Sequence, residues 1–338
     1  MQYLGKNRLS VNEYVKGLLA GDIVILSKAL SLIESHLDED QVLSLKVLNR
    51  IFPTTGQSLR VAITGVPGVG KSTFIEVLGL YLVDNGHKVA VLTVDPSSQR
   101  TKGSILGDKT RMERLSKSSG AFIRPSAAGN SLGGVAHHTR ESVLLCEAAG
   151  YDVVIVETVG VGQTETLVRT MVDFFLLLMI AGAGDELQGI KKGIIEMADG
   201  LAITKADGEN LKPALQAKAI YENALHLLTP ANSLWQPPVF TCSAMKNEGI
   251  DKIWKSIESY ISLMHENGYL ETQRQEQRLK WLQECIQRSI DRHLEQKLHN
   301  SSKINHLRKE VKEGKLLPPQ AAAVMLSKLS PGQSPGVL

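Results

Sequence analysis

Gly65-Val66-Pro67-Gly68-Val69-Gly70-Lys71-Ser72 is the stretch that decides the fold, because it fills the Gly-x4-Gly-Lys-Ser/Thr pattern of a phosphate-binding loop. Leu59 to Thr64 predicts a short buried strand before it, and Thr73 to Tyr81 predicts the opening of a helix after it. Strand, glycine loop and helix in that order are the context the pattern requires. Glycines let the backbone curl until its N–H groups face inward, and the helix N-terminus adds partial positive charge. Lys71 is then expected to reach the outer phosphates as a binding and catalytic group. The Ser72 hydroxyl is expected to hold Mg2+, with Thr73 following it along the phosphates. A structural loop with no ligand is the competing reading, and the flanking strand and helix disfavour it. The expected ligand is a nucleoside triphosphate.

Outward from the loop, strands and helices alternate from about residue 56 to 266. Strands are predicted at 59–64, 89–94, 121–124, 152–157, 173–180, 200–204 and 238–242. Helices are predicted at 72–85, 108–118, 134–149, 164–171, 190–198, 210–228 and 249–265. Such alternation implies an α/β fold with a mostly parallel central sheet, whose ligands bind at the carboxyl ends of the strands. Val153-Val-Ile-Val156 lacks polar alternation, as a strand buried on both faces should. Residues 1–55 read as an N-terminal helical extension. Its two apolar stripes are Val11, Tyr14, Val15, Leu18 and Leu19, then Ile23, Leu26, Leu30 and Ile33. Beyond Gly268 the composition turns to Gln, Glu, Arg and Lys, with Leu279, Leu282, Ile286 and Ile290 at helical spacing. Residues 267–329 read as a C-terminal helical region that either packs on the core or forms an oligomer arm. Pro318-Pro319 breaks it before a short Ala-rich helix at about 320–329, and 330–338 reads as a disordered tail.

Composition narrows the function classes. The 338 residues carry a net charge of +3, too small to argue for nucleic acid or an anionic membrane. The longest apolar run, Phe174 to Ala183, is about half a bilayer span and suits a central strand. The polar N-terminus has no signal-peptide core, so a cytoplasmic protein is expected. Cys146, Cys242 and Cys285 are widely spaced, without a CxxC, and read as packed, reduced thiols.

Thr204-Lys205-Ala206-Asp207 names the base, because it ends the strand Gly200 to Ile203. A carboxylate there accepts two hydrogen bonds from the N1–H and 2-amino group of guanine. Adenine lacks those donors and leaves the acid unpaired, at a cost of about 1–3 kcal/mol. The Lys205 stem lies along the purine face in this reading. The bland alternative is a turn in which Asp207 caps the next helix. Ser243-Ala244-Met245, after the strand ending at Cys242, reads as the element whose backbone amides meet the guanine oxygen.

Two acids stand at strand ends where Mg2+ belongs. Asp95 ends Val89 to Val94, and Glu157 ends Val153 to Val156 and opens Glu157-Thr-Val-Gly160, a Glu variant of the Asp-x-x-Gly switch. Either carboxylate suits Mg2+-bound water, the Gly160 amide suits the γ-phosphate, and both acids also fit ordinary turns. Gln163 fits a water-orienting role and a helix-start role equally. Lys102, Lys109, Arg111 and Arg114 read first as a solvated face. His137 and His138 point about 100° apart on a helix, which argues against a shared metal ion.

Val94-Asp-Pro-Ser-Ser98, Gly103 to Met112, Glu157 to Gln163 and Gly184-Asp-Glu-Leu-Gln-Gly-Ile-Lys-Lys-Gly193 resemble the MeaB/ArgK family. These are GTPases associated with methylmalonyl-CoA mutase and similar to signal-recognition-particle GTPases, which share Thr in place of Asn at the position of Thr204. The resemblance covers roughly residues 10 to 325. It implies a P-loop NTPase domain with a C-terminal dimerisation arm, a homodimer, and Mg2+-dependent GTP hydrolysis, slow alone and stimulated by the partner. It also implies a chaperone that gates adenosylcobalamin loading into the mutase and protects or reactivates it. The segment bearing Asp185, Glu186, Gln188, Lys191 and Lys192 would be an extra switch loop facing the partner; its plain reading is a flexible βα loop. Two other readings compete: a kinase linked to lysine/arginine/ornithine transport, and a metal-delivery GTPase for hydrogenase or urease. Asp207 argues against an ATP-using kinase. The lack of a Cys/His-rich segment argues against metal delivery.

Overall fold

The computed structural model describes residues 8–94, 112–125, 132–158, 164–182, 192–229, 233–299 and 302–327. The helices are α1 (Val11–Leu19), α2 (Ile23–Ile33), α3 (Asp38–Ile51), α4 (Lys71–Asp84), α5 (Glu113–Ser116), α6 (Leu132–Ala148), α7 (Thr164–Arg169), α8 (Lys192–Glu196), α9 (Leu211–Leu228), α10 (Ile250–Glu266), α11 (Tyr269–His299), α12 (Ser302–Lys312) and α13 (Pro318–Ser327). The strands are β1 (Leu59–Gly65), β2 (Val89–Val94), β3 (Ala121–Pro125), β4 (Val153–Thr158), β5 (Phe174–Ile180), β6 (Gly200–Thr204) and β7 (Val239–Thr241).

All seven strands pair in parallel, in the order β3-β2-β4-β1-β5-β6-β7. The fold is that of a P-loop NTPase. β1 sits between β4 and β5, so the chain leaves β1 toward one side of the sheet and returns to build the other. That reversal opens a crevice at the carboxyl end of β1, where the glycine loop lies. The central strands are apolar without alternation: Phe174 to Met179 are all buried, as are Val153 to Val156.

The N-terminal helices begin with explicit caps. Ser10 and Glu13 form a reciprocal capping box on α1, and Asp22 caps α2 through the amides of Val24 and Ile25. Tyr14, Leu18, Leu26, Leu30 and Ile33 are buried, and α1, α2 and α3 pack against α6. Leu19 and Ile23 flank the turn at Gly21 and face solvent, so the two predicted stripes each lose the member nearest that turn.

Element ends shift slightly from expectation. The described part of 108–118 holds only the four-residue α5, and α7 stops at Arg169. α13 starts at Pro318 rather than near 320, since proline fits the first turn of a helix. Residues 330–338 lie outside the described set.

The chain forms two compact units, Met1–Gln275 and Glu276–Leu338. In the second, Ile304 of α12 and Ala321 of α13 are buried, whereas Leu279, Leu282, Ile286 and Ile290 of α11 are 48–62% exposed. Among the described residues no helix is long and apolar enough to cross a membrane.

Candidate functional site

Two glycines show why the loop takes this path. A Cβ on Gly65 would stand 2.4 Å from the Leu178 carbonyl oxygen of the neighbouring strand. Gly70, at φ 95°, caps α4 in the left-handed region that side chains resist. The loop therefore turns sharply off β1 and delivers Lys71 and Ser72 into the first turn of α4.

Lys71 is folded back over its own loop. Its Nζ donates to the carbonyls of Gly65 at 2.7 Å and Val66 at 3.2 Å. Burial lowers its pKa, while the carboxylates of Glu157 and Glu165 pull in the opposite direction. Ser72 donates from Oγ to Glu157 Oε1 at 3.1 Å. Glu157 is 5% exposed, at the end of β4. The predicted lysine, hydroxyl and carboxylate thus stand together. Ser72 and Glu157 present oxygen donors side by side, which is the chemistry Mg2+ favours when phosphates and water supply its remaining ligands.

The Thr204–Asp207 segment is tied to the loop by its first two residues. Thr204 Oγ1 lies 2.6 Å from the Val69 carbonyl, to which it donates, and 3.1 Å from that of Met179. Thr204 is buried, and its hydroxyl links β6, β5 and the loop. Lys205 takes a left-handed φ of 54° and donates from Nζ to the Gly68 carbonyl at 2.8 Å. Asn210 holds the Lys205 carbonyl at 2.7 Å, which fixes the unusual turn. Asp207 accepts a short hydrogen bond from buried Ser243 Oγ, and the Ala206 amide donates to the Cys242 carbonyl at 3.0 Å. Ser243, Ala244 and Met245 are therefore held beside Asp207, with Met245 86% exposed at the rim.

Several expected groups lie outside the described residues: Asp95, Gly160, Gln163, Asp185, Glu186, Gln188, Lys191, Lys102, Lys109 and Arg111. Lys192 is placed only as the first residue of α8. Pro67 and Thr73 are exposed, on the loop and the first turn of α4. His138 Nδ1 lies 3.4 Å from Glu141, and no group of three metal-ligating side chains occurs among the described residues. Cys146 and Cys242 are buried free thiols; burial raises both pKa values, that of Cys242 to about 12. They are inert packing groups.

Sequence reasoning missed Glu165. It is fully buried in the first turn of α7, and α7 packs on β1 and β4, the strands that end in the loop and Glu157. Its sequence signal was weak, since an acid in a helix's first turn is ordinary.

With this geometry in hand, likeness to known proteins is informative. Residues 26–299 match the family model of the methylmalonyl-CoA mutase-associated GTPase MeaB. The Escherichia coli K12 GTPase ArgK is 49% identical over 85% of this chain and 87% of its own length. The mouse mitochondrial methylmalonic aciduria type A homolog is 40% identical over 95% of this chain and 80% of its own. The crystal structure of a LAO/AO transport system kinase superposes with a TM-score of 0.74 at 39% identity, covering 96% of this chain and 99% of that one. A phosphate loop tied to Thr204 and Lys205, Asp207 held by Ser243, and a family match over most of the chain lead to one conclusion: the chain belongs to the MeaB family of P-loop GTPases.

Proposed function

We propose that this GTPase assists an adenosylcobalamin-dependent mutase, methylmalonyl-CoA mutase or a close relative, by gating cofactor loading and by protecting or reactivating the enzyme. The family match and the mouse relative support the mutase as partner. The observation that carries the nucleotide chemistry is the Asp207–Ser243 pair beside a loop anchored by Thr204 and Lys205.

In this reading Lys71 exchanges its two carbonyl contacts for β- and γ-phosphate oxygens, and the incoming negative charge restores its depressed basicity. The amides of Gly65 to Thr73 cradle the phosphates. Ser72 and Glu157 would hold Mg2+, with Asp95 as a further oxygen donor, and the ion would supply neutralisation of phosphate charge. Lys71, Glu157 and Gln163 form the hydrolytic group, Gln163 orienting the attacking water and the Gly160 amide sensing the γ-phosphate. Asp207 reads the guanine edge, Lys205 covers its face, and Ser243, Ala244 and Met245 close around it. The segment with Asp185, Glu186, Gln188, Lys191 and Lys192 carries nucleotide state to the mutase. Residues 267–329 form the arm of a cytoplasmic homodimer. The exposed Leu279, Leu282, Ile286 and Ile290, spaced at three and four residues along one helix face, supply its contact.

Two experiments test this reading. Asp207→Asn should exchange the preference for guanosine for one for xanthosine nucleotides; a variant still selecting GTP contradicts the role of the acid. The host's mutase should accelerate GTP hydrolysis and be captured with a non-hydrolysable GTP analogue; no stimulation and no capture removes it as partner. A second reading, a transport-linked protein kinase, is favoured by the likeness to the LAO/AO transport system kinase. Labelled γ-phosphate separates them: release to water marks the GTPase, and transfer to protein the kinase.

A further inference from the structure

Helix α7 carries charge at both ends of one face. Glu165 and Arg169 are four residues apart, so the helical period stacks them on the same side. Glu165, in the first turn, is fully buried, and α7 packs on β1 and β4. At the other end Arg169 Nη2 donates to Asp199 Oδ1 at 2.9 Å, and Nη1 lies 2.8 Å from Oδ2.

Asp199 is itself a junction. It lies three residues beyond α8 and is 9% exposed. Its Oδ2 accepts from the Phe175 amide at 2.8 Å, its carbonyl takes the Trp235 indole N–H at 2.7 Å, and the Tyr260 hydroxyl stands near its carboxylate. The ion pair also borders a cleft of about 390 Å3, lined by Ile195, Leu228, Trp235, Tyr260 and Met264. Apolar packing therefore does not enclose it. A half-enclosed ion pair is a poor stability device, since desolvation offsets most of its attraction, but it fixes geometry well.

The two helices joined here have a shared position in the chain. α7 directly follows Glu157–Gln163, and α8 begins at Lys192, within 184–193; these are the two segments assigned above as nucleotide-responsive. Each is a short, stiff lever, about 9 Å for α7 at 1.5 Å per residue. We infer that Arg169 and Asp199 are positioning residues for GTP hydrolysis: they clamp the far ends of both levers, and through α7 they set where Glu165 stands against the phosphate-loop lysine. The inference rests on the reading of those two segments as switches.

Burial raises the Asp199 pKa to about 6, with Arg169 opposing the rise. The charged and titratable groups facing it are Arg169 from α7, Glu196 from α8, Tyr260 from α10 and Tyr269 at the start of α11. Below pH 6 Asp199 becomes neutral and the clamp loses its charge. A carboxyl whose pKa is raised on folding binds more protons folded than unfolded between about pH 4 and 6. Stability from this group therefore falls as pH rises through that window, opposite to the expected rise in turnover.

The test is steady-state GTP hydrolysis and fluorescent-GDP binding by the full chain. Arg169→Ala should lower kcat about fivefold while KM and GDP affinity stay within about twofold, and Arg169→Lys should recover most of the loss. The parent kcat should fall as pH drops through about 6, and Asp199→Asn should be slow and flat there. Unchanged kcat in Arg169→Ala, or an Arg169→Lys as slow as the Ala variant, overturns the inference. If Arg169→Ala does not fold, Arg169→Lys and the Asp199→Asn pH profile decide it. Lys71→Ala separates the levels: if it hydrolyses GTP normally, the site reading itself fails, whereas a dead Lys71→Ala beside a normal Arg169→Ala sinks the clamp alone.

Discussion

The two ends of the sheet use charge in opposite ways. At the carboxyl end, Lys71 and Lys205 rest on neutral backbone carbonyls of the loop. Those contacts are weak enough to exchange for a charged ligand. At the amino end, charge is locked to charge. Fully buried Asp173 accepts from the Arg60 amide at 2.9 Å and from Arg274 at 2.8 and 2.7 Å, and Arg274 also bonds the carbonyls of Gly56 and Ser58. Glu147 alongside it takes the Gly56 amide, Ser58 Oγ and Arg60. Four stretches meet there: residues 56–60 at the entry to β1, the end of α6 at Glu147, the entry to β5 at Asp173, and the first turns of α11 at Arg274. One end is built to let go and the other to hold.

The sharpest way to break this contrast is Asp173→Ala. It strands Arg274 and is expected to remove about 3–5 kcal/mol of stability in a urea melt, while GDP affinity in the surviving folded protein stays near the parent value. A comparable loss of nucleotide affinity would show that the two ends are not separate. Next in size is Lys71→Ala, expected to weaken GTP binding on the order of a hundredfold, equivalent to roughly 3 kcal/mol, with a nearly unchanged melt. Unaltered affinity in a fluorescent-nucleotide titration would contradict the assignment. Smallest is Thr204→Val, which keeps shape but loses the bond to Val69. It should reduce both melt and GDP affinity by about 1 kcal/mol, because this residue joins scaffold and loop. An effect on only one of the two would place Thr204 wholly on one side of the divide.

How much of this is legible in the sequence follows from what each feature depends on. The strand–loop–helix around Lys71 and the motif at Thr204 to Asp207 are local, and their chemistry follows from short spacing. β5 is legible because an unbroken run such as Phe174 to Met179 has few other homes in a parallel sheet. Leu19 and Ile23 mislead, since a helical period gives the stripe but not where a turn exposes the member nearest it. Glu165 and Asp199 are invisible: each looks like an ordinary acid at a helix boundary, and only burial reveals otherwise. Asp173 and Arg274 are equally hidden, because nothing local relates residues 101 positions apart.

Sequence alone therefore settled the nucleotide class, the α/β architecture and the family, since glycine spacing, hydrophobic period and motif order are properties of neighbours along the chain. Tertiary structure alone decided that Thr204 ties the end of β6 to the phosphate loop, that Asp207 is held by Ser243, and that Arg169 meets Asp199. Each of those is a pairing between segments that touch only once the sheet has closed. Its strength depends on burial and geometry, which do not exist in the unfolded chain.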